Sequence, residues 1–141
     1  MNVLFGFLRT NVRLVFFYEE NILQLQAIKD EKLKIAMSIM HHMSLADYLP
    51  APNLLPLIMF ELILLTLKSG LVPKTHVAFV VFGYINIAFM GNMEQGLKMG
   101  QLGNSVFEIL QDVNEFVSFK HVYVMFISHW LKHLAEIIPE L

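Results

Sequence analysis

Three glycines, at positions 96, 100 and 103, recur within a stretch that otherwise has the pattern of a single helix. Spacings of four and three residues place Gly96, Gly100 and Gly103 on one helical face. Because each glycine within a helix costs about 1 kcal/mol relative to alanine, a face without side chains suggests close approach of another backbone. An apolar run, residues 77–90, precedes the three glycines across a Gly-Asn turn at 91–92. The pattern predicts a tight antiparallel helical hairpin, the unit of an α-solenoid.

Within this hairpin, we expect the three glycines to face the helix of residues 74–90 near Ala78, Phe82 and Ile85. Six positions in all, five glycines and the only tryptophan, are predicted to serve helix packing: Gly83, Gly91, Gly96, Gly100, Gly103 and Trp130.

Composition limits the class of protein. The 141 residues are enough for one domain with a real core. Hydrophobic residues make up 56% and charged residues 16%, against about 25% charged in a typical soluble domain. The chain therefore either enters a membrane or presents apolar surface to another molecule. The net charge is −2 and the ten Lys and Arg residues are scattered, which argues against a nucleic-acid partner. The lack of cysteine removes disulfides and thiolate chemistry.

Two runs without charged residues raise the alternative of a small helical membrane protein. Residues 48–60 contain three prolines, and residues 75–93 contain His76, Asn86 and two glycines. A membrane-spanning helix needs about 20 apolar residues, and neither run supplies them. We therefore predict buried helices, no membrane span and a cytoplasmic location. The N-terminal residues also lack the basic region and the small-residue cleavage site of a signal peptide.

Helical periodicity and helix-ending residues divide the chain. Residues 1–20 are aromatic-rich and are predicted to be an irregular leader, with a weak amphipathic helix over 12–26. Residues 21–141 are predicted to form a single helical domain. Asp30 is expected to cap the first long helix and Gly70 to end the second. The first long helix is expected at residues 31–46, and the second begins near Pro52 or Pro56 and runs to about 69. The other three are expected at residues 74–90, 92–112 and 121–138.

Histidines provide the first candidates for chemistry. His129 and His133 lie four residues apart on one predicted helix, a spacing at which two imidazoles can share a metal. No third ligand accompanies them, so we favour polar packing beside a buried face formed by Trp130, Leu134 and Ile137. The adjacent His41 and His42 are predicted to be an exposed pair that points to different helix faces.

Glu61 is the remaining candidate, because it lies within the apolar segment LLPLIMFELILLTL. A carboxyl there can be an acid of raised pKa, but pairing with a Lys or His of a neighbouring helix, or a position at the exposed edge of the helix, is the better interpretation. The sequence contains no phosphate-binding loop, nucleophile elbow or dinucleotide-binding turn. We therefore expect no catalytic residue, no cofactor and no metal.

The segment GYINIAFMGNMEQGLKMGQLGNSVFEIL resembles one tetratricopeptide-like unit, whose second helix carries small residues at the positions of the three glycines. LPAPNLLPLIMFELILLTLKSG, HVAFVVFGYINIAFMGNMEQGLKMGQLG and FISHWLKHLAEIIPEL together resemble a particular helical region. That region follows the AAA-type ATPase module in large signalling proteins that also carry protein-kinase-like, GAF sensor and histidine kinase modules. The resemblance covers residues 21–141.

The resemblance implies an all-α, right-handed solenoid of antiparallel helical hairpins. It implies no enzymatic activity, because the family's phosphate loop, phosphoacceptor histidine and kinase loops are missing from this sequence. The expected function is that of a scaffold or relay which contacts protein partners or neighbouring domains of a larger signalling protein. We also expect self-association, since terminal repeats normally need polar caps, whereas this chain begins with aromatic residues and ends in IIPEL.

Overall fold

A computed structural model describes residues 2–17, 19–46, 53–72, 74–110 and 116–131. These residues form α-helices joined by short connections, so the prediction of an all-α protein is confirmed. Seven α-helices and a final 3-10 turn follow one another within the described ranges: α1 Val3–Phe16, α2 Glu19–Leu23, α3 Glu31–Ala46, α4 Leu54–Ser69, α5 Thr75–Ala88, α6 Met93–Leu110, α7 Phe116–Phe126 and the turn Ser128–Trp130.

Helix α5 lies at the centre of the described fold. All of its residues except Tyr84 and Ala88 are buried. It packs against α4, α6 and α7, while α1 and α3 pack against α4. A helix that is apolar around its whole circumference needs neighbours around its whole circumference, and this arrangement supplies them.

The ends of two helices follow the sequence signals. The Asp30 Oδ1 atom accepts hydrogen bonds from the backbone N–H groups of Lys32 and Leu33, at 3.0 and 3.2 Å, and so caps α3. Gly70 ends α4 with φ of 112°, a value that favours glycine. Both the predicted cap of α3 and the predicted end of α4 are confirmed.

Backbone contact between α5 and α6 explains the glycines of both helices. A Cβ atom added to Gly83 would lie 2.5 Å from the carbonyl oxygen of Gly96, and one added to Gly103 would lie 2.8 Å from the carbonyl oxygen of His76. A Cβ atom at Gly100 would instead meet the Ile127 side chain at 2.6–2.8 Å. The two helices form a close antiparallel hairpin, in which the lack of side chains allows the backbones to touch.

The face of α5 in this hairpin differs from the predicted one. His76, Val80, Gly83 and Ile87 meet the glycines of α6, and the expected contact with Ala78, Phe82 and Ile85 is not the one found. Because α5 is apolar on every side, its apolar pattern cannot select a face, and Gly83 was the informative signal.

Phe82 belongs instead to the opposite side of α5. Its ring lies 5.3 Å from that of Phe7 in α1 and 5.8 Å from that of Phe60 in α4, measured between centroids. These three rings join α1, α4 and α5 into one core.

Two predicted packing positions do not pack. Gly91 has φ of 66° and nothing within 4 Å of an added Cβ atom, so it serves the turn between α5 and α6. Trp130 is 45% exposed, and the prediction that it lies in the core is wrong. The reason is that the expected helix over 121–138 does not continue through this point: α7 ends at Phe126, and Trp130 lies in the 3-10 turn. Leu134 and Ile137 lie outside the described residues.

The prediction of an irregular leader is also wrong, because α1 covers most of residues 1–20. Asn2 caps this helix by accepting a hydrogen bond from the backbone N–H of Leu4 at 3.0 Å. Phe7 and Leu14 are buried in the core. The chain leaves helical geometry at Phe17 before the short α2, so the expected helix over 12–26 is not formed.

Candidate interaction surface

Helix α1 carries an apolar face that no described part of the chain covers. The residues of this face, which we call the α1 outer face, are exposed by 52 to 76%: Leu4, Phe5, Leu8, Val12, Val15 and Phe16. Single exposed apolar residues are normal on protein surfaces, whereas a contiguous group marks an interaction site. The α1 outer face is therefore the first candidate for function.

The geometry of the helix places these six side chains together. At about 100° per residue, they fall within an arc of about 120° on α1. The opposite arc carries Val3, Phe7, Thr10 and Leu14, which pack against the core or are buried in it. A surface helix usually has one apolar face and one polar face. Helix α1 has two apolar faces, and the packing with α4 uses only one of them.

The spacing within the outer face is that of a helix-pairing seam. Phe5, Leu8, Val12 and Val15 are separated by three, four and three residues, which are the a and d positions of two heptads. Such a seam fits the groove of another helix. An interfacial membrane helix instead carries a polar face rich in lysine and arginine, whereas Arg9 and Arg13 are the only charged residues of α1.

An ion pair lies at the edge of this face. The Arg9 guanidinium lies 2.8 Å from the Glu61 carboxylate of α4, and both side chains are partly exposed. Glu61 thus pairs with an arginine rather than with the expected lysine or histidine. An exposed pair contributes only about 0–1 kcal/mol, so the burial of Phe7 and Leu14 holds α1 in place and the ion pair accompanies it.

Two clefts lie at the ends of α1. At its N-terminal end, a cleft of about 500 Å³ lies between Leu4 and the exposed Phe89 and Met90 of the α5–α6 turn. At its C-terminal end, a cleft of about 250 Å³ is lined by Val15 and, from α6, by polar residues that include Lys98. The apolar surface therefore continues beyond the N-terminal end of the outer face, whereas polar groups border its C-terminal end.

A second, shorter apolar row lies on α3. Ile35, Ile39 and Met43 follow one another at intervals of four residues and are about half exposed. This row lacks the alternating three–four spacing of α1 and is shorter by three residues than the α1 outer face.

The adjacent histidines of α3 have different surroundings. The prediction of an exposed pair is wrong for His41, which is buried, and right for His42. Lys74 donates from its ammonium group to Nε2 of His42 at 3.3 Å, and Nδ1 of His42 lies 2.7 Å from the Ser38 carbonyl oxygen. Both ring nitrogens of His42 thus have a polar partner within hydrogen-bond distance.

His76 is the most unusual polar residue of the described core. Its ring is fully buried in contact with Phe107 of α6 and Phe119 of α7, at centroid distances of 5.1 and 4.7 Å in edge-to-face geometry. Neither ring nitrogen has a hydrogen-bond partner among the described residues. Burial lowers the pKa of His76 to about 3, with smaller contributions from His41 and Lys74. Its position in a charge-free apolar run was the only sequence signal for this burial.

The predicted histidine pair near the C-terminus is only half described. Nδ1 of His129 lies 3.4 Å from the carbonyl oxygen of Val124, and His133 lies outside the described residues. Within the described ranges, no three His, Cys, Asp or Glu residues are grouped to hold a metal ion. Nor does any helix among the described residues combine the length and the apolar character that a membrane crossing requires.

Comparison of the chain with protein-family models, with curated proteins and with solved structures found no match. The resemblance to the helical region of ATPase-containing signalling proteins stays a prediction from the sequence motifs.

Proposed function

We propose that the chain is a non-catalytic helical scaffold that acts by binding a helix of another protein chain along the α1 outer face. The observation that carries this proposal is the pair of apolar faces on α1. One face holds α1 on α4 through Phe7 and Leu14, while the other, centred on Leu8 and Val12, remains exposed. The core of the fold does not use the apolar side chains of the outer face. Their heptad spacing is best explained by the binding of a helix from another chain.

Within the same proposal, the chain is a tetratricopeptide-like solenoid segment of a cytoplasmic signalling protein with ATPase and histidine kinase modules. Two features support this context. One is the order of the sequence motifs, and the other is the α5–α6 hairpin, whose backbones touch at Gly83 and Gly96. A hairpin of this kind is a suitable unit for stacking with further hairpins. Its function there is to relay or hold contacts between neighbouring modules.

The alternative, a small helical membrane protein, predicts a different occupant of the same surface. A lipid surface is favoured by a broad apolar face flanked by many cations. The α1 outer face instead carries apolar residues at heptad spacing with only two cations on the helix, Arg9 and Arg13, and Arg9 is already paired with Glu61. The protein partner is therefore the better supported of the two.

A photo-crosslinking amino acid at position 8 tests the proposal in cells that express the chain, with position 29 as the matched control. Lys29 is exposed in the segment between α2 and α3, away from the seam. We expect a protein adduct of defined mass from position 8 and none from position 29. The adduct should disappear in Val12→Glu, while circular dichroism of the purified Val12→Glu chain should show the helix content of the parent, because Val12 is exposed and outside the core.

Two results would contradict the proposal. One is the absence of any position-specific protein adduct. The other is flotation of the purified chain with phosphatidylcholine–phosphatidylglycerol vesicles through the same face, which would favour the membrane alternative.

A further inference from the structure

We propose that the helix bound by the α1 outer face is α1 of a second copy of this chain, paired antiparallel about a two-fold axis. This inference rests on the proposed function and specifies its partner. It is drawn from three properties of the face: the sizes of its seam residues, its area and its charge.

The sizes of the seam residues complement one another only in the antiparallel direction. When two such helices run antiparallel with their centres at the level of Thr10, Phe5 of one copy meets Val15 of the other, and Leu8 meets Val12. Each layer then joins a large side chain to a smaller one, which is how facing layers fill space without voids. In parallel pairing, Phe5 would meet Phe5 and Val15 would meet Val15, so one end would be overfilled and the other underfilled.

The exposed area matches what one partner contributes to a stable interface. A large aromatic side chain has an area of about 150–250 Å², and leucine and valine have less. Because the six residues are exposed by 52 to 76%, they present roughly 600 Å² together. Phe89 and Met90, which line the adjoining cleft, extend this to roughly 800 Å² per copy, the usual contribution of one partner. The two-fold symmetry requires a surface that complements itself, and the size pattern of the seam meets that requirement.

The charges near the proposed axis are compatible with self-pairing. Arg9 of the two copies would approach each other beside the axis, and an unpaired cation there would oppose association. Each Arg9 is instead bound to Glu61 of its own chain at 2.8 Å, so that two neutral ion pairs face each other. On the opposite edge of the seam, Asn11 of one copy would lie near Asn11 of the other, and this contact carries no charge.

Light scattering coupled to size-exclusion chromatography tests the association. We expect the parent chain to have the mass of two copies and Leu8→Glu to have the mass of one, because the substitution places two carboxylates in the seam. Ile35→Glu is the matched control, since it puts the same charge on the exposed row of α3 and should leave the mass of two copies. Circular dichroism of both variants, which alter exposed side chains, should show the helix content of the parent.

Cysteine cross-linking tests the direction, and the chain is suited to it because it contains no cysteine of its own. Residues that meet across the seam lie within the range of about 4.4–6.8 Å between Cα atoms that a disulfide spans. A mixture of Phe5→Cys and Val15→Cys chains should form the mixed disulfide on mild oxidation, whereas either variant alone should form little.

Each other outcome overturns the inference in a recognisable way. Efficient linkage of Phe5→Cys to itself would mean parallel pairing. A monomeric parent chain that gives a position-8 adduct with a different protein would reject the second copy and retain the proposed function. A monomeric parent chain that gives no protein adduct would reject both.

Discussion

Gly83 of α5 and Gly96 of α6 lie opposite each other so closely that a Cβ atom on either would come within 2.7 Å of the other's carbonyl oxygen. The atoms in conflict are backbone atoms of two helices, so the conflict cannot be relieved by a change of rotamer. This relationship makes the α5–α6 hairpin intolerant of even the smallest side chain at its closest point.

Gly83→Ala is therefore expected to destabilise the chain, although alanine is the better helix former by about 1 kcal/mol. Forcing an extra methyl group into a well-packed contact typically costs about 1–3 kcal/mol, and because the clash here is with backbone atoms, we expect the cost to exceed that gain. Gly100→Ala is the matched comparison, because the atoms nearest to its Cβ atom belong to the side chain of Ile127 rather than to the backbone of α5. Urea denaturation should give Gly83→Ala the lower midpoint, and equal midpoints would contradict the backbone contact.

Phe5 and Phe7 provide a test of the two faces of α1. Phe7 is buried against Phe60 and Phe82, so Phe7→Ala should lower the free energy of unfolding by about 3–5 kcal/mol. Phe5 is exposed on the outer face, and Phe5→Ala should change the stability of the single chain by less than about 0.5 kcal/mol.

The measurement for this pair is chemical denaturation at low protein concentration, where association contributes least. Similar losses in both variants would mean that the outer face is part of the folded core. A loss in Phe5→Ala that grows with protein concentration would instead report the second copy.

The sequence predicted elements whose signals are local. Asp30 has the acceptor that a helix start needs, and Gly70 has the freedom that a helix end needs, so both were recognised before the structure was known. Helix α1 was missed because it has apolar residues on two faces. A helix is recognised in a sequence by apolar residues that recur on one face only, with the helical period. The interaction surface was missed with it, since a face becomes recognisable as exposed only when the packing of the other face is known.

The face of α5 that packs against α6 and the exposure of Trp130 could not be predicted for a different reason. Every side of α5 is apolar, so the choice of neighbour depends on tertiary packing and not on its own pattern. Trp130 was assigned to the core by residue type, but the chain leaves the helix before it, at Ile127. The burial of His76 had a weaker signal in the sequence, namely a titratable residue within an apolar run.

The stability of the chain should fall as the pH is lowered below about 6.5, and His76 should be a main cause. In the folded chain, burial lowers the pKa of His76 to about 3, while the ordinary value is 6.5. Between these two pH values, the imidazole of His76 is protonated in the unfolded chain and neutral in the folded chain. The stabilisation of the neutral form is therefore complete above pH 6.5 and is lost as the pH falls towards 3.

The expected loss is about 1.4 kcal/mol for each pH unit within that window, or about 2 kcal/mol between pH 6.5 and 5. His41 and Lys74 are the charged or titratable groups that act on the ring from α3 and from the start of α5, while α6 and α7 present Phe107 and Phe119. His76→Leu removes the titrating group and keeps the site apolar.

Urea denaturation of the parent and His76→Leu at pH 7, 6 and 5, at one protein concentration, measures the difference. We expect the variant to be at least as stable as the parent at pH 7, because it removes two ring nitrogens that lack hydrogen-bond partners among the described residues. Between pH 7 and pH 5, the variant should lose about 2 kcal/mol less of its free energy of unfolding than the parent. Most carboxylates titrate below this pH range. Parallel pH profiles for the two chains would show that His76 is hydrated or paired in solution and that its burial between Phe107 and Phe119 is wrong.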